Sequence, residues 1–234
     1  MCTRFYILPG SPDLEYILAA ARRSPLLRRF VRRRQIRHVQ GELFSDNTGD
    51  YSAILKTSGE VRPTDIVPVL APDQSGDPAV YPMQWGFRLP ARKPGEKDML
   101  LVNARVETAA EKAAFRHAWA SHRCIVPASW YFEWEHFIDQ SGRKKTGQKY
   151  AICAASFPET ASSVTWLCGL YRIENQVPVF VILTREPGRD LSRIHDRMPL
   201  ILPQEAALDW IRPQTRPEDL LQYSLTEMKI RAAT

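Results

Sequence analysis

Three residues of this sequence have types and positions that could carry chemistry together: Cys2, Glu133 and His195. Cys2 follows the initiator methionine, and its side chain is small enough for Met1 to be removed. Removal leaves a cysteine whose thiol stands beside a free α-amine. That amine has a reference pKa of about 7.7–8.0, so a useful fraction is unprotonated at neutral pH. Such a 1,2-aminothiol condenses with an aldehyde: the amine gives an imine, and the thiol closes on the imine carbon to give a thiazolidine. An incidental cysteine is the plain alternative. A strand that starts at once, at residues 3–8, favours a pinned terminus over a frayed one.

Glu133 lies in Trp130-Tyr-Phe-Glu-Trp134. Strand alternation puts Trp130, Phe132 and Trp134 on one face, and Tyr131, Glu133 and Glu135 on the other. A carboxylate among aromatic rings is partly desolvated, which raises its pKa and suits it to move protons near neutrality. An outward-facing Glu133 is equally compatible with the pattern, and Glu135 competes for the role. His195, in Arg193-Ile-His-Asp-Arg-Met-Pro199, titrates in the right range and has an acid and a base beside it. Asn103 ends the apolar run Met99–Val102, where a buried amide must find partners. Trp85 and Trp134 are either core or stacking platforms. Arg4, Arg105, Arg123 and Arg197 neighbour these residues and would clamp phosphates if the substrate is a nucleic acid.

Those residues need a scaffold. Ser11-Pro12 and Ser24-Pro25 each read as the start of a helix. Thr108-Ala-Ala-Glu111 reads as a capping box opening a helix to about Ala120. Short β segments are expected at YSAILK, DIVPVL, VYPMQWGFRL, MLLVNAR, RCIVPA, WYFEWEHF, QKYAICAA, VTWLCGLY and VPVFVILT. Polar loops at Ala91–Asp98 and Asp139–Gly147 interrupt them, and short helices are expected at Gly188–Ile194, Pro203–Ile211 and Pro217–Leu225. Strands and helices do not alternate, which predicts an α+β single domain with a curved, antiparallel, barrel-like core.

At 234 residues, 44% apolar and 25% charged, the chain can bury a sizeable core. It has no apolar run of membrane-spanning length, no secretory leader pattern and no CxxC spacing among its four cysteines. The expectation is a cytoplasmic protein with free thiols, no cofactor and no metal site. The net charge of +6 has one source: eight arginines between Arg22 and Arg37, without which it would be −2. That basic helical segment, about residues 24–38, is either a solvated face or an extra phosphate contact.

The ordered set Met1-Cys2-x-Arg4-Phe5, Trp85-Gly86, Asn103-Ala-Arg105-x-Glu107-Thr108, Arg123-Cys124-x-x-Pro127, Glu133-Trp134, Gly169-Leu170 and His195-Asp-Arg-Met-Pro199 resembles the SRAP family, SOS response-associated peptidases that cross-link abasic sites in single-stranded DNA. The resemblance implies that Cys2 forms a thiazolidine with the ring-opened sugar and that Asn103 positions the terminus and the sugar. It implies that Glu133 and His195 move protons. Arg4, Arg105 and Arg197 would grip phosphates, Trp85 and Trp134 would line the DNA groove, and Pro63 would wedge against bases. Self-release of Met1 and strand cleavage by β-elimination are further implied activities. The implied partner is single-stranded DNA carrying an abasic site, with replication-fork proteins as further candidates, and the implied state is a cytoplasmic monomer, nucleoid-associated if the source is bacterial. The chain departs from the family pattern at Thr3, at Thr184-Arg-Glu-Pro187 and in the long Trp85–Asn103 spacing. A thiol peptidase using Cys2 and His195, and a non-catalytic single-strand binder, are the alternatives.

Overall fold

The computed structural model describes residues 2–37, 52–91, 93, 95–155 and 164–233. Met1, His38, Tyr51, Arg92 and Pro94 lie outside them. Strand β1 (Arg4–Ile7) begins two residues after Cys2 and leads to helix α1 (Pro12–Arg22). The Ser11 hydroxyl accepts the Leu14 N–H at 3.1 Å, Pro12 occupies the first turn, and Asp13 and Glu15 complement the helix dipole there. Helix α2 (Leu27–Arg37) turns Leu27 and Phe30 into a small cluster with Ala21, Leu55, Ile66 and Val177, and leaves Arg28, Arg29 and Arg32 exposed.

The chain continues through β2 (Gly59–Val61), β3 (Ile66–Pro72), β4 (Pro78–Trp85), β5 (Phe87–Leu89), β6 (Met99–Leu101) and β7 (Asn103–Arg105). Helices α3 (Val106–Ala109) and α4 (Arg116–Ser121) come next. The long strands β8 (Arg123–Ala128), β9 (Trp130–Ile138), β10 (Lys144–Ala154), β11 (Thr165–Glu174) and β12 (Val177–Arg185) follow. A short β13 (Met198–Pro199), helices α5 (Gln204–Ile211) and α6 (Pro217–Leu220), and β14 (Met228–Ala233) complete it.

Five strands close a barrel in the order β11-β8-β3-β4-β12, with β12 pairing back onto β11. β8, β11 and β12 read as near-continuous apolar runs because both their faces are covered. Gly169 permits a close contact within the barrel: a Cβ there would stand 2.7 Å from the Val181 carbonyl oxygen and 3.0 Å from Cys124 Sγ. A second, antiparallel sheet runs β14-β10-β9-β1-β2. Only Ser129 separates β8 from β9, so one continuous stretch carries the chain from the barrel into the second sheet.

The α+β barrel with flanking helices matches the sequence expectation, with local differences. The barrel is mixed, since β12 runs parallel to both β4 and β7. The capping box does not form: Thr108 lies inside α3, its hydroxyl has no hydrogen-bond partner among the described residues, and the helix breaks before α4. Residues Ser52–Ile54 form a 3-10 turn rather than a strand, and 189–194 form turns rather than a helix. No described helix is long and apolar enough to cross a membrane.

Arg123 is a structural staple rather than a phosphate clamp. Its buried guanidinium donates to the carbonyls of Trp119, Ala120, Trp210, Arg212 and Thr215 at 2.7–3.1 Å, tying α4 to the end of α5. Removing it orphans several acceptors at roughly 1–3 kcal/mol each, less whatever water can reach. Arg123→Met is therefore expected to cost about 3 kcal/mol or more, read as a lower urea midpoint.

Candidate active site

The start of the chain is positioned by strand pairing. β1 lies antiparallel on β9 with Arg4 opposite Phe132, Phe5 opposite Tyr131 and Tyr6 opposite Trp130. Continuing that register brings residues 2 and 3 alongside Glu133 and Trp134. The Asn103 amide then pins the terminus: its Nδ2 donates to the Cys2 carbonyl at 2.8 Å. Asn103 is itself held because β7 hydrogen-bonds along β12, Ile182 opposite Asn103. Trp85 braces the same strand, donating Nε1–H to the Val102 carbonyl at 2.8 Å while its ring stacks on Phe180 and tilts against Phe5.

Cys2 is 0% exposed, and its thiol donates to the Arg4 carbonyl at 3.6 Å. Burial, reinforced by the Glu133 charge, pushes that thiol far above its ordinary range, so it stays protonated. Glu133 faces inward beside it, 2% exposed. Burial pushes its carboxyl up to about 7, against the pull of the chain's positive amino terminus.

His195 places Nε2 at 3.9 Å from Glu133 Oε2. Burial and the charge of the chain terminus lower its pKa, so it is neutral at neutral pH. Its Nδ1 accepts the Arg197 amide N–H at 2.9 Å and also lies 2.9 Å from the Asp196 carboxylate. One nitrogen cannot accept from the first and donate to the second. The Arg197 amide is fixed by the backbone, while Asp196 is 83% exposed and solvated, so the tautomer assigned is Nε2–H, facing Glu133. A carboxyl titrating near neutrality, an imidazole N–H and a buried thiol thus meet at the first residues of the chain. Such a group can pass protons among small polar substrate atoms.

The other residues singled out in the sequence fare differently. Arg4 pairs with Glu60, as do Lys149 at 2.9 Å and Arg62 at 3.2 Å. Burial would raise the Glu60 pKa, but the Lys149 and Arg4 hydrogen bonds hold it down at about 2. Trp134 is half-buried with the Lys149 ammonium 5.7 Å above its ring. Pro63 sits in the Arg62–Asp65 turn, partly exposed, before Thr64 at φ +78°. Arg105 is exposed. Trp85 departs from the expectation of a groove-lining ring: it is 0% exposed, and its contacts are with the core. Arg197 departs too. Its guanidinium is buried in a two-point ion pair with Glu107, at 2.8 and 2.9 Å, and donates to the Thr184 carbonyl. The sequence reading missed Tyr131 as a site residue, although its place two before Glu133 signals the shared face. Among the described residues, no cluster of three or more His, Cys, Asp or Glu could hold a metal.

This fold and site define a barrel protein whose ionisable cluster is built around its own first residues. The family model described as SOS response associated peptidase (SRAP) matches residues 1–233, and the chain belongs to that family. It is 31% identical over 148 residues to the abasic site processing protein YoaM of Bacillus subtilis, covering 61% of each chain. Over 138 residues it is 35% identical to the abasic site processing protein YedK of Escherichia coli, covering 57% of this chain and 55% of that one. The rat abasic site processing protein HMCES is 26% identical over 164 residues, 46% of its length. The chain thus spans about three-fifths of the length of the Bacillus relatives it matches, and less of the rat protein. The fold is shared with a solved structure from Bacteroides thetaiotaomicron, at 19% identity and a TM-score of 0.66, covering all of this chain and 92% of the other. A phage-related protein from Bordetella bronchiseptica gives a TM-score of 0.57 at 22% identity, covering 79% of this chain and 89% of that one.

The raised Glu133 pKa has a stability consequence. The unfolded chain loses this proton near the ordinary carboxyl value of 4.5, the folded chain near 7. Between those values the folded state binds more protons, so stability falls as pH rises, and the full cost is present above about 7. A shift of this size corresponds to about 3 kcal/mol at roughly 1.4 kcal/mol per unit. Glu133→Gln is expected to be more stable than the parent at pH 8, with the gap closing as pH falls towards 4.5. Urea melts across that range measure it.

Proposed function

We propose that this chain processes abasic sites in single-stranded DNA by covalent capture. Release of Met1 frees the Cys2 amine. The amine adds to the C1′ aldehyde of the ring-opened sugar, water leaves, and the resulting imine is closed by the Cys2 thiol. The thiol is not ionised beforehand: as the S–C bond forms, its proton ends on the imine nitrogen, leaving a neutral thiazolidine. Glu133 takes the sugar hydroxyl proton during ring opening and returns one to the departing oxygen, which a carboxyl near pKa 7 does in both directions at physiological pH. His195 Nε2–H faces that carboxyl and assists its proton transfers and reversal of the cross-link. β-Elimination through the imine is a side reaction of the same intermediate. Arg4, Arg105 and Trp134 contact the DNA strand, and Pro63 abuts its bases.

One observation carries this above all: Asn103 holds the Cys2 carbonyl while Glu133 lies buried on the adjoining strand. The names of the family relatives agree with it. A thiol peptidase fits less well, because that chemistry uses a thiolate–imidazolium pair. Here burial favours the neutral form of both partners.

The test is a denaturing gel of the protein mixed with single-stranded DNA bearing one abasic site. A heat-resistant shifted band is expected, and it should vanish in Cys2→Ala. Intact mass should show Met1 gone. Shifts seen on native gels alone would reduce the protein to a binder, and peptide turnover without a DNA adduct would favour the peptidase.

A further inference from the structure

One polar group of the site has no task in the chemistry above. Tyr131 is 0% exposed, and its hydroxyl has no hydrogen-bond partner among the described residues. Two residues before Glu133 on β9, it projects from the same face of the sheet. Its cross-strand neighbours are Phe5 on one side and Ile152 on the other, both fully buried and neither able to hydrogen-bond it through a side chain. Burying a phenol hydroxyl unpaired is unfavourable, and phenylalanine would fill the same space without that cost. Burial keeps the phenol protonated, and the neighbouring Cys2 thiol and Glu133 carboxyl would oppose its ionisation further. It is therefore a donor, close to both groups. The Asn103 Oδ1 is likewise buried and unpartnered, on the amide that holds Cys2. An unmet donor and an unmet acceptor around one residue are the complement of a hydroxyl group.

We propose that Tyr131 is a catalytic hydrogen-bond donor to the oxygen of the carbinolamine formed when the Cys2 amine adds to the sugar aldehyde. This rests on the covalent-capture reaction proposed above. In that step the C–O bond breaks and the oxygen leaves as water, carrying the proton delivered by Glu133. The Tyr131 hydroxyl stabilises the departing oxygen and keeps its own proton. The same bond orients the aldehyde oxygen before addition, so both halves of imine formation use it.

Tyr131→Phe tests this in the full chain with Met1 removed. The rate of heat-resistant adduct formation is measured under single-turnover conditions on single-stranded DNA with one abasic site. Binding is measured in parallel on the same DNA carrying a tetrahydrofuran analogue, which lacks the aldehyde. The expected result is a 10- to 100-fold slower adduct, a matching fall in borohydride-trapped imine, tetrahydrofuran binding within two-fold of the parent, and a Tm equal to or above it. An unchanged adduct rate alongside an active parent overturns the role of Tyr131 alone. So does a loss of rate matched by equal loss of tetrahydrofuran binding or by a fallen Tm, which marks a packing role. A parent that forms no adduct overturns the covalent-capture reaction itself, and this role with it.

Discussion

The hydrogen bond from Asn103 to the Cys2 carbonyl is the constraint on which the site depends. A chain end has few neighbours in sequence to hold it, so its place must come from elsewhere in the fold. Here it comes from two directions. β9 supplies a ladder for β1, and β7, itself seated on the barrel strand β12, supplies the amide. Trp85 links the two supports, touching Phe5 on β1 and bonding the backbone just before Asn103. A ring that looked like a stacking platform is the brace of the terminus.

The electrostatics follow from how deeply that terminus is set. Burial acts on three ionisable groups at once and moves each towards its neutral form: thiol protonated, imidazole neutral, carboxyl half-titrated near neutrality. Such a cluster is poorly suited to holding a charge and well suited to passing a proton. Its destabilising effect on the fold above pH 7 is the other face of the same desolvation.

The long strands were legible in the sequence because the barrel covers both their faces, leaving continuous apolar runs such as Val177–Leu183. Glu133 was legible as a candidate from its aromatic neighbours, but its direction was not. Alternation separates the two faces of β9 without saying which is inward, and the choice is made by pairing with β1. Thr108 failed as a cap because the chain had already entered α3 at Val106, leaving that hydroxyl inside the helix. Met198–Pro199 and Met228–Ala233 were invisible as strands because neighbouring strands far off in sequence determine them. The arginines misled for a related reason. Sequence counts charge and cannot see that Arg123 faces five carbonyls, or Arg197 a carboxylate.

The Arg197–Glu107 pair joins the turn that carries His195 to the helix that follows Asn103. With that arginine and Arg123 committed inward, and Arg4 shared with Glu60, the neighbourhood of the site offers far less free positive charge than the composition suggests. On the proposed function, the site itself would release few counterions on meeting a strand, and further electrostatic grip would have to come from exposed arginines such as Arg105, Arg28, Arg29 and Arg32. Lasting hold at the lesion would then come from the bond formed there.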